Sequence, residues 1–145
     1  MFKKILVPVD GSSASQEAIE KAVGIARAFN SAVTIVSVID SYAFSGVSVD
    51  FAYGQPEYQE AASAESKASI AAAQQQFQAA GITAESIVVD GKAIFRGILD
   101  TAESTHTDLI VMGSHGRKGL EKLVLGSVAA QVLSHAHVPV LIVRE

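Results

Sequence analysis

Two hydrophobic patterns take turns along this chain, and their alternation predicts the architecture before any motif is read. Lys4 to Val9 is a nearly continuous apolar run, Ala32 to Ile39 is a second one rich in β-branched residues, and Leu109 to Met112 and Val138 to Val143 are two more. Apolar runs of this length, without a polar residue at every second position, suit strands covered on both faces and therefore a parallel sheet. A further strand falls within Ile82 to Val89. Between these runs the period becomes helical. Ala18, Ile19, Ala22, Val23, Ala26 and Phe29 give one apolar face to a helix ending near Asn30, and Ser13 with Gln16 forms a capping-box signature at its start. Glu57 to Ala80, rich in Ala, Gln and Glu and free of Gly and Pro, predicts the longest helix, with Gly81 as its stop. Ala93 to His106 and Ser127 to Ser134 predict two more.

Strand and helix alternate throughout, so the fold class is α/β: one domain, five mostly parallel strands, right-handed crossovers and helices on both faces. If the early crossovers cover one face and the later ones the other, the first and fourth strands become neighbours and the order is 3-2-1-4-5. Open sheets of this kind bind ligands outside the carboxyl ends of the strands, at that switch point. Those ends carry Val9-Asp10-Gly11 and Met112-Gly113-Ser114. Asp40 to Pro56 fits neither period. A loop of that length is either functional, as a lid over a site, or a poorly ordered excursion.

The densest chemistry lies in Met112-Gly113-Ser114-His115-Gly116-Arg117-Lys118-Gly119, followed by Gly126-Ser127. A strand, a glycine loop and a helix start, in that order, suit an anion: glycines let backbone N–H groups approach it, and the helix N-terminus favours negative charge. A phosphorylated small molecule is the first ligand to consider. Neither G-x-x-x-x-G-K-[ST] nor G-x-G-x-x-G occurs, which argues against a P-loop or a common dinucleotide fingerprint. Arg117, Lys118 and Lys122 either assist a phosphate or are solvated surface charge. Asp10 at a strand end suits a phosphate-bound metal ion, a ribose contact or the cap of the next helix. His115 offers its backbone N–H more readily than a catalytic base, since no proton relay can be assembled around it. His135-Ala136-His137 lacks a third ligand for zinc and reads, like His106, as an ordinary helix end.

Composition narrows the classes further. With 145 residues, 49% of them hydrophobic, the chain can bury a sizeable core as one domain. A net charge of −4 disfavours nucleic acid as a partner, and the absence of cysteine removes disulfides and thiolate chemistry. No apolar run approaches a membrane span, and Met1-Phe2-Lys3-Lys4 leads into a strand rather than a signal-peptide core. The expected location is cytoplasmic, without membrane insertion.

Gly113-x2-Gly116-x9-Gly126-Ser127, the opening Ile5-Leu-Val-Pro-Val-Asp-Gly-Ser12, the strand Val33 to Asp40 and the closing Val138-Pro-Val-Leu-Ile-Val143 together make the chain resemble the universal stress protein family, in its ATP-binding branch. The resemblance covers the full length. It implies a Rossmann-like, adenine nucleotide alpha hydrolase-like sheet and a site for ATP, ADP or AMP, with Mg2+ or Mn2+ as a companion ion. Pro8, Asp10 and Val38, with Val9 beside them, would border the adenine and ribose. Met112, Gly113, Ser114, His115, Gly116, Arg117, Lys118 and Gly119, with Gly126, Ser127, Val128 and Ala129, would surround the ribose and phosphates. Ala129 stands where some members carry a hydroxyl, so only its backbone N–H remains for contact. No catalytic residue is implied. The function expected is a nucleotide-binding regulator acting on conformation, assembly or an unidentified protein partner, with a slow ATPase or adenylyl-transferring enzyme as the alternative. A phospho-receiver or flavin domain of the same topology would want an acidic pair or an FMN loop that Asp10 alone does not supply. The apolar Val138 to Val143, followed by Arg144 and Glu145, predicts a homodimer paired along its edge strand, as the resemblance also implies.

Overall fold

The structure, a computed structural model, describes residues 1–40, 55–116 and 125–145. Within them β1 (Lys4–Pro8), β2 (Ala32–Ile39), β3 (Ala84–Asp90), β4 (Leu109–Gly113) and β5 (Val140–Val143) alternate with α1 (Ser13–Phe29), α2 (Gln55–Ala79), α3 (Ile94–Ser104) and α4 (Ser127–His135). The sheet runs β3-β2-β1-β4-β5, with every neighbouring pair parallel, as the hydrophobic pattern predicts. The long segment from Asp40 to Pro56 lies almost wholly outside the described residues, and its two readings stay open.

Alternate residues of the central strands feed two separate cores. Ile5 and Val7 of β1, with Val33 and Ile35 of β2, pack beneath α1 and α2 against Ala18, Ala22 and Phe77. Leu6, Val36, Ile110 and Met112 face the other way, against Ile98 and Ala102 of α3 and Val132 of α4. Each face of the sheet is thus hydrophobic, which is why the strands read as unbroken apolar runs. Helix α2 looks weakly amphipathic in sequence, yet Ile70, Ala73 and Phe77, spaced three and four apart, are all buried.

Three boundaries depart from the sequence pattern. The N-cap of α1 is Ser12 rather than Ser13: its side chain accepts a hydrogen bond from the Ser15 N–H at 3.1 Å. Gly11, at φ +80°, turns the chain one residue early and leaves Ser13 as the first helical residue. The fifth strand begins at Val140, not Val138, because Pro139 has no N–H to donate and only its carbonyl joins the ladder, accepting from Ile110 at 3.0 Å. Helix α3 stops at Ser104, and His106 follows in the left-handed conformation (φ 54°), a chain reversal rather than a helical residue. Among the described residues no helix is long and apolar enough to cross a membrane.

Candidate functional site

Above the carboxyl ends of β1, β2 and β4 lies a cavity of about 940 Å³, within the range of small-molecule sites. The crossovers force it. Helix α1 leaves β1 toward one face and α4 leaves β4 toward the other, so the two connections part between adjacent strands and leave a crevice. One wall is apolar, with Val36, Val38, Phe95, Ile98 and Met112. Polar groups line the cavity as well, with Asp10, Ser12, His115, Gly116 and Ser127 from the connections after β1 and β4, and Ser37, Asp40, Glu65 and Ser66 from the side of β2 and α2. Such a crevice accommodates a molecule with a flat apolar part and a hydrogen-bonding or anionic tail.

Two helices of this crevice begin without a side-chain cap. Gly126 stands in extended conformation before α4 and Ala93 before α3, and neither side chain can accept from the first turn. The N–H groups of Ser127, Val128 and Ala129 have no carbonyl one turn earlier within the helix, and all three residues line the cavity. Helix α1 differs, since Ser12 satisfies its first turn. An anion is therefore best met at the start of α4.

Asp10 resolves into a local and an outward-facing half. Oδ1 accepts from the Ser12 N–H at 2.9 Å, forming the turn that leads into α1. Oδ2 lies toward Gly116, where an added Cβ would stand 2.7 Å from it. The carboxylate of β1 and the glycine loop of β4 are thus in register across the crevice, as the predicted adjacency of the two strands requires.

The glycines do different work from the one their spacing suggests. A Cβ on Gly113 would come within 2.7–3.0 Å of Ala14, two of those atoms being backbone. That glycine lets α1 lie directly on β4. A Cβ on Gly126 would stand 3.0 Å from both the Ser114 carbonyl oxygen and the His115 Cα, and Gly126 N–H donates to that carbonyl at 2.7 Å. Close approach of protein to protein explains both. Of these three glycines, Gly116 is the one that faces no described backbone atom within 4 Å, so it fits the role of admitting a ligand.

Pro8, Val9, Asp10, Val38, Met112, Gly113, His115, Gly116, Gly126, Ser127, Val128 and Ala129 all line the cavity. Ser114 does not. It is 2% exposed, its N–H donates to the Val143 carbonyl at 2.9 Å, and its hydroxyl lies 3.1 Å from His115 Nδ1. Ser114, in the bend just after β4, supports the loop from behind through these contacts to Val143 and His115. Arg117, Lys118 and Gly119 lie outside the described residues. His135 stacks on Phe95 with ring centroids 5.7 Å apart and places Nδ1 2.9 Å from the Gln131 carbonyl, the helix-end role its position suggests.

Sequence reading missed the second wall. Ala93, Ile94 and Phe95 line the cavity from the start of α3, and Ser37 and Ser66 line it from β2 and α2, with their buried hydroxyls 2.6 Å apart. Ser37 was legible as one of two hydroxyl residues, with Thr34, inside an otherwise apolar strand. The start of α3 was not, because nothing local marks it; only the crossover from the edge strand β3 carries it over β2. Gly97 then lets α3 approach, since a Cβ there would meet both Val38 γ-carbons at 2.8 Å.

Comparison with known proteins agrees with this fold. The model of the universal stress protein family matches residues 1–144. A universal stress protein of Methanocaldococcus jannaschii is 33% identical over 145 residues, covering 100% of this chain and 84% of the relative. Among solved structures, a universal stress protein of Lactobacillus plantarum superposes with a TM-score of 0.87 at 28% identity, over 98% of this chain and 97% of the other. Another, determined in complex with cAMP, superposes with a TM-score of 0.70 at 26% identity, over 99% and 97% of the two chains. Family match, curated relative and fold coincide over the whole length: this chain belongs to the universal stress protein family.

Proposed function

We propose that the protein is an adenine-nucleotide-binding regulator, with ATP as its principal ligand and ADP or AMP as alternatives. The observation that carries this reading is the crevice itself: apolar side chains suited to a base share one cavity with an uncapped helix start and the glycine-bearing turn after β4, both suited to phosphates. The cAMP complex of a related structure supports an adenine ligand. Mg2+ or Mn2+ would enter on the phosphates, with Asp10 as the nearest protein carboxylate, because the described residues gather no three metal-ligating side chains. Regulation through conformation, assembly or a partner protein is the output, and a cytoplasmic location suits it.

Hydrolysis is a minor activity in this reading. The His115 ring is engaged at both nitrogens, by Ser114 and Glu145, so it is not arranged to orient an attacking water, and this reading gives the outward-facing Oδ2 of Asp10 to a phosphate-bound ion. Mass spectrometry of the nucleotide released on denaturing the purified protein, together with calorimetric titration, is expected to find ATP, ADP or AMP bound. In single-turnover assays the ATP should persist for many minutes. Calorimetric silence toward all three nucleotides would remove the proposal, and turnover of several per second abolished by Gly116→Val would make the protein an enzyme.

Self-association is the reading that β5 supports: among the described residues it pairs only with β4 and so presents an open edge. A two-fold pairing of this edge gives a homodimer. Val140 and Ile142 pack against the inner core, whereas Leu141 is 38% exposed, so Leu141→Lys tests the edge without hollowing the core. Light scattering after size exclusion is expected to give twice the chain mass for the parent and a shift toward one for the variant. A monomeric parent at tens of micromolar, roughly where interfaces of about 1,000 Å² associate, removes the dimer.

A further inference from the structure

We propose that Glu145, outside the crevice, is a positioning residue that sets the affinity for the phosphate end of the ligand by pinning the loop after β4. The proposal rests on the nucleotide reading above. Two segments distant from it in sequence converge on its carboxylate. Ser13, the first residue of α1, donates its hydroxyl to Glu145 Oε1, and His115 Nε2 lies 3.4 Å from the same oxygen. The far side of the His115 ring is held by the Ser114 hydroxyl at 3.1 Å. His115 and Glu145 side chains are only 9% and 20% exposed, so water screens this contact less than a surface pair.

Backbone bonds extend the pin. Ser114 N–H donates to the Val143 carbonyl at 2.9 Å, and Gly126 N–H donates to the Ser114 carbonyl at 2.7 Å. The loop from Gly113 to Gly116, the start of α4 and the chain end after β5 are therefore linked as one unit. Helix α1 has no acidic residue of its own in its first turn, and Glu145 brings a negative charge there, where the helix dipole favours it. The carboxylate is thus held between two favourable partners. Removing it frees the His115 ring and, through it, the backbone N–H groups at His115 and Gly116.

Glu145 does not line the cavity, whereas His115 does, so its influence on a ligand passes through the ring it holds. That separates positioning from simple electrostatics by sign. A negative charge near phosphates repels them, so loss of the charge alone would tighten ATP binding. Loss of a pin weakens it. In the nucleotide reading the base would lie against Val38, Phe95 and Ile98, which also line the cavity, so a ligand without phosphates should not register the change.

Calorimetry on the full chain with ATP, AMP and adenosine, for the parent, Glu145→Ala, Glu145→Gln and Ser13→Ala, tests this, with melting temperatures measured alongside. Glu145→Ala is expected to weaken ATP and AMP about tenfold, as loss of an outer partner that orients a binding group does, and to leave adenosine within about twofold. Glu145→Gln, which keeps an acceptor oxygen without the charge, should recover most of the ATP affinity. Ser13→Ala, which leaves the His115 contact, should weaken ATP less than Glu145→Ala. Equal losses for ATP and adenosine would mean a merely structural role, and unchanged or tighter ATP binding by Glu145→Ala would mean no pin; either overturns the proposal. A parent that binds neither ATP nor adenosine overturns the nucleotide reading itself and this inference with it, a failure visible before any variant is compared.

Discussion

Replacing Gly113 with Val is expected to destabilise the protein by about 3 kcal/mol, the upper part of the range for overpacking a well-filled interior. The first β-carbon alone would stand 2.8 Å from the carbonyl carbon of Ala14 and 2.7 Å from its Cβ. Neither atom is the end of a flexible side chain. Ala14 is fully buried, so α1 as a whole would have to lift from β4 and open the core formed by Ile5, Val7, Ala18 and Val111. Gly24, on the exposed side of the same helix, has nothing within 4 Å of an added Cβ. Gly24→Ala should therefore stabilise the protein by about 1 kcal/mol, the helix-propensity difference. Urea titrations of both variants measure the contrast. A Gly113→Val protein that unfolds at the parent's midpoint would mean that α1 and β4 are not in rigid contact.

Saturation with ATP and a divalent ion is expected to stabilise the parent by about 2.7 kcal/mol at a hundredfold excess over Kd, provided the ligand binds only the folded state. For a chain of this size that corresponds to a rise in Tm of roughly 5–10 °C. Gly116→Val is expected to abolish the rise while leaving the unliganded Tm nearly unchanged. Its Cβ would meet only the Asp10 carboxylate, at 2.7 Å and 3.9 Å, so the new side chain displaces Asp10 or fills the crevice without pressing on described backbone. Gly126→Val is a poorer probe, because its Cβ presses on the Ser114 carbonyl and lowers stability whether or not a ligand binds. A parent whose Tm ignores millimolar ATP with metal would refute the site.

Strand order was legible because each apolar run reports burial on both faces, and a parallel sheet with a change of crossover side then has few arrangements. Site residues on the strands followed from that order: Asp10 and Gly116 had to meet once β1 and β4 were neighbours. What sequence could not give was purpose at equal spelling. Gly113, Gly116 and Gly126 look alike as letters, yet two make room for protein and one for the crevice, a distinction set by atoms up to a hundred residues away. Helix α3 itself was legible, but its place on the cavity was hidden for a related reason, since its start reaches the cavity only by crossing the sheet. The cap of α1 was misplaced by one residue because Ser12 and Ser13 both satisfy the local rule, and the turn at Gly11 decides between them.

The uncapped starts of α3 and α4 have an energetic consequence of their own. Helix ends are where native structure opens at least cost, and a missing cap lowers that cost further, so the first turns after Ala93 and Gly126 are the places where this otherwise tightly packed domain frays. A ligand that hydrogen-bonds the amides there does for α4 what Ser12 does for α1. Such a ligand would complete the helix, and part of its intrinsic binding free energy would go into ordering that turn, so a variant that orders it in advance should bind the ligand more tightly.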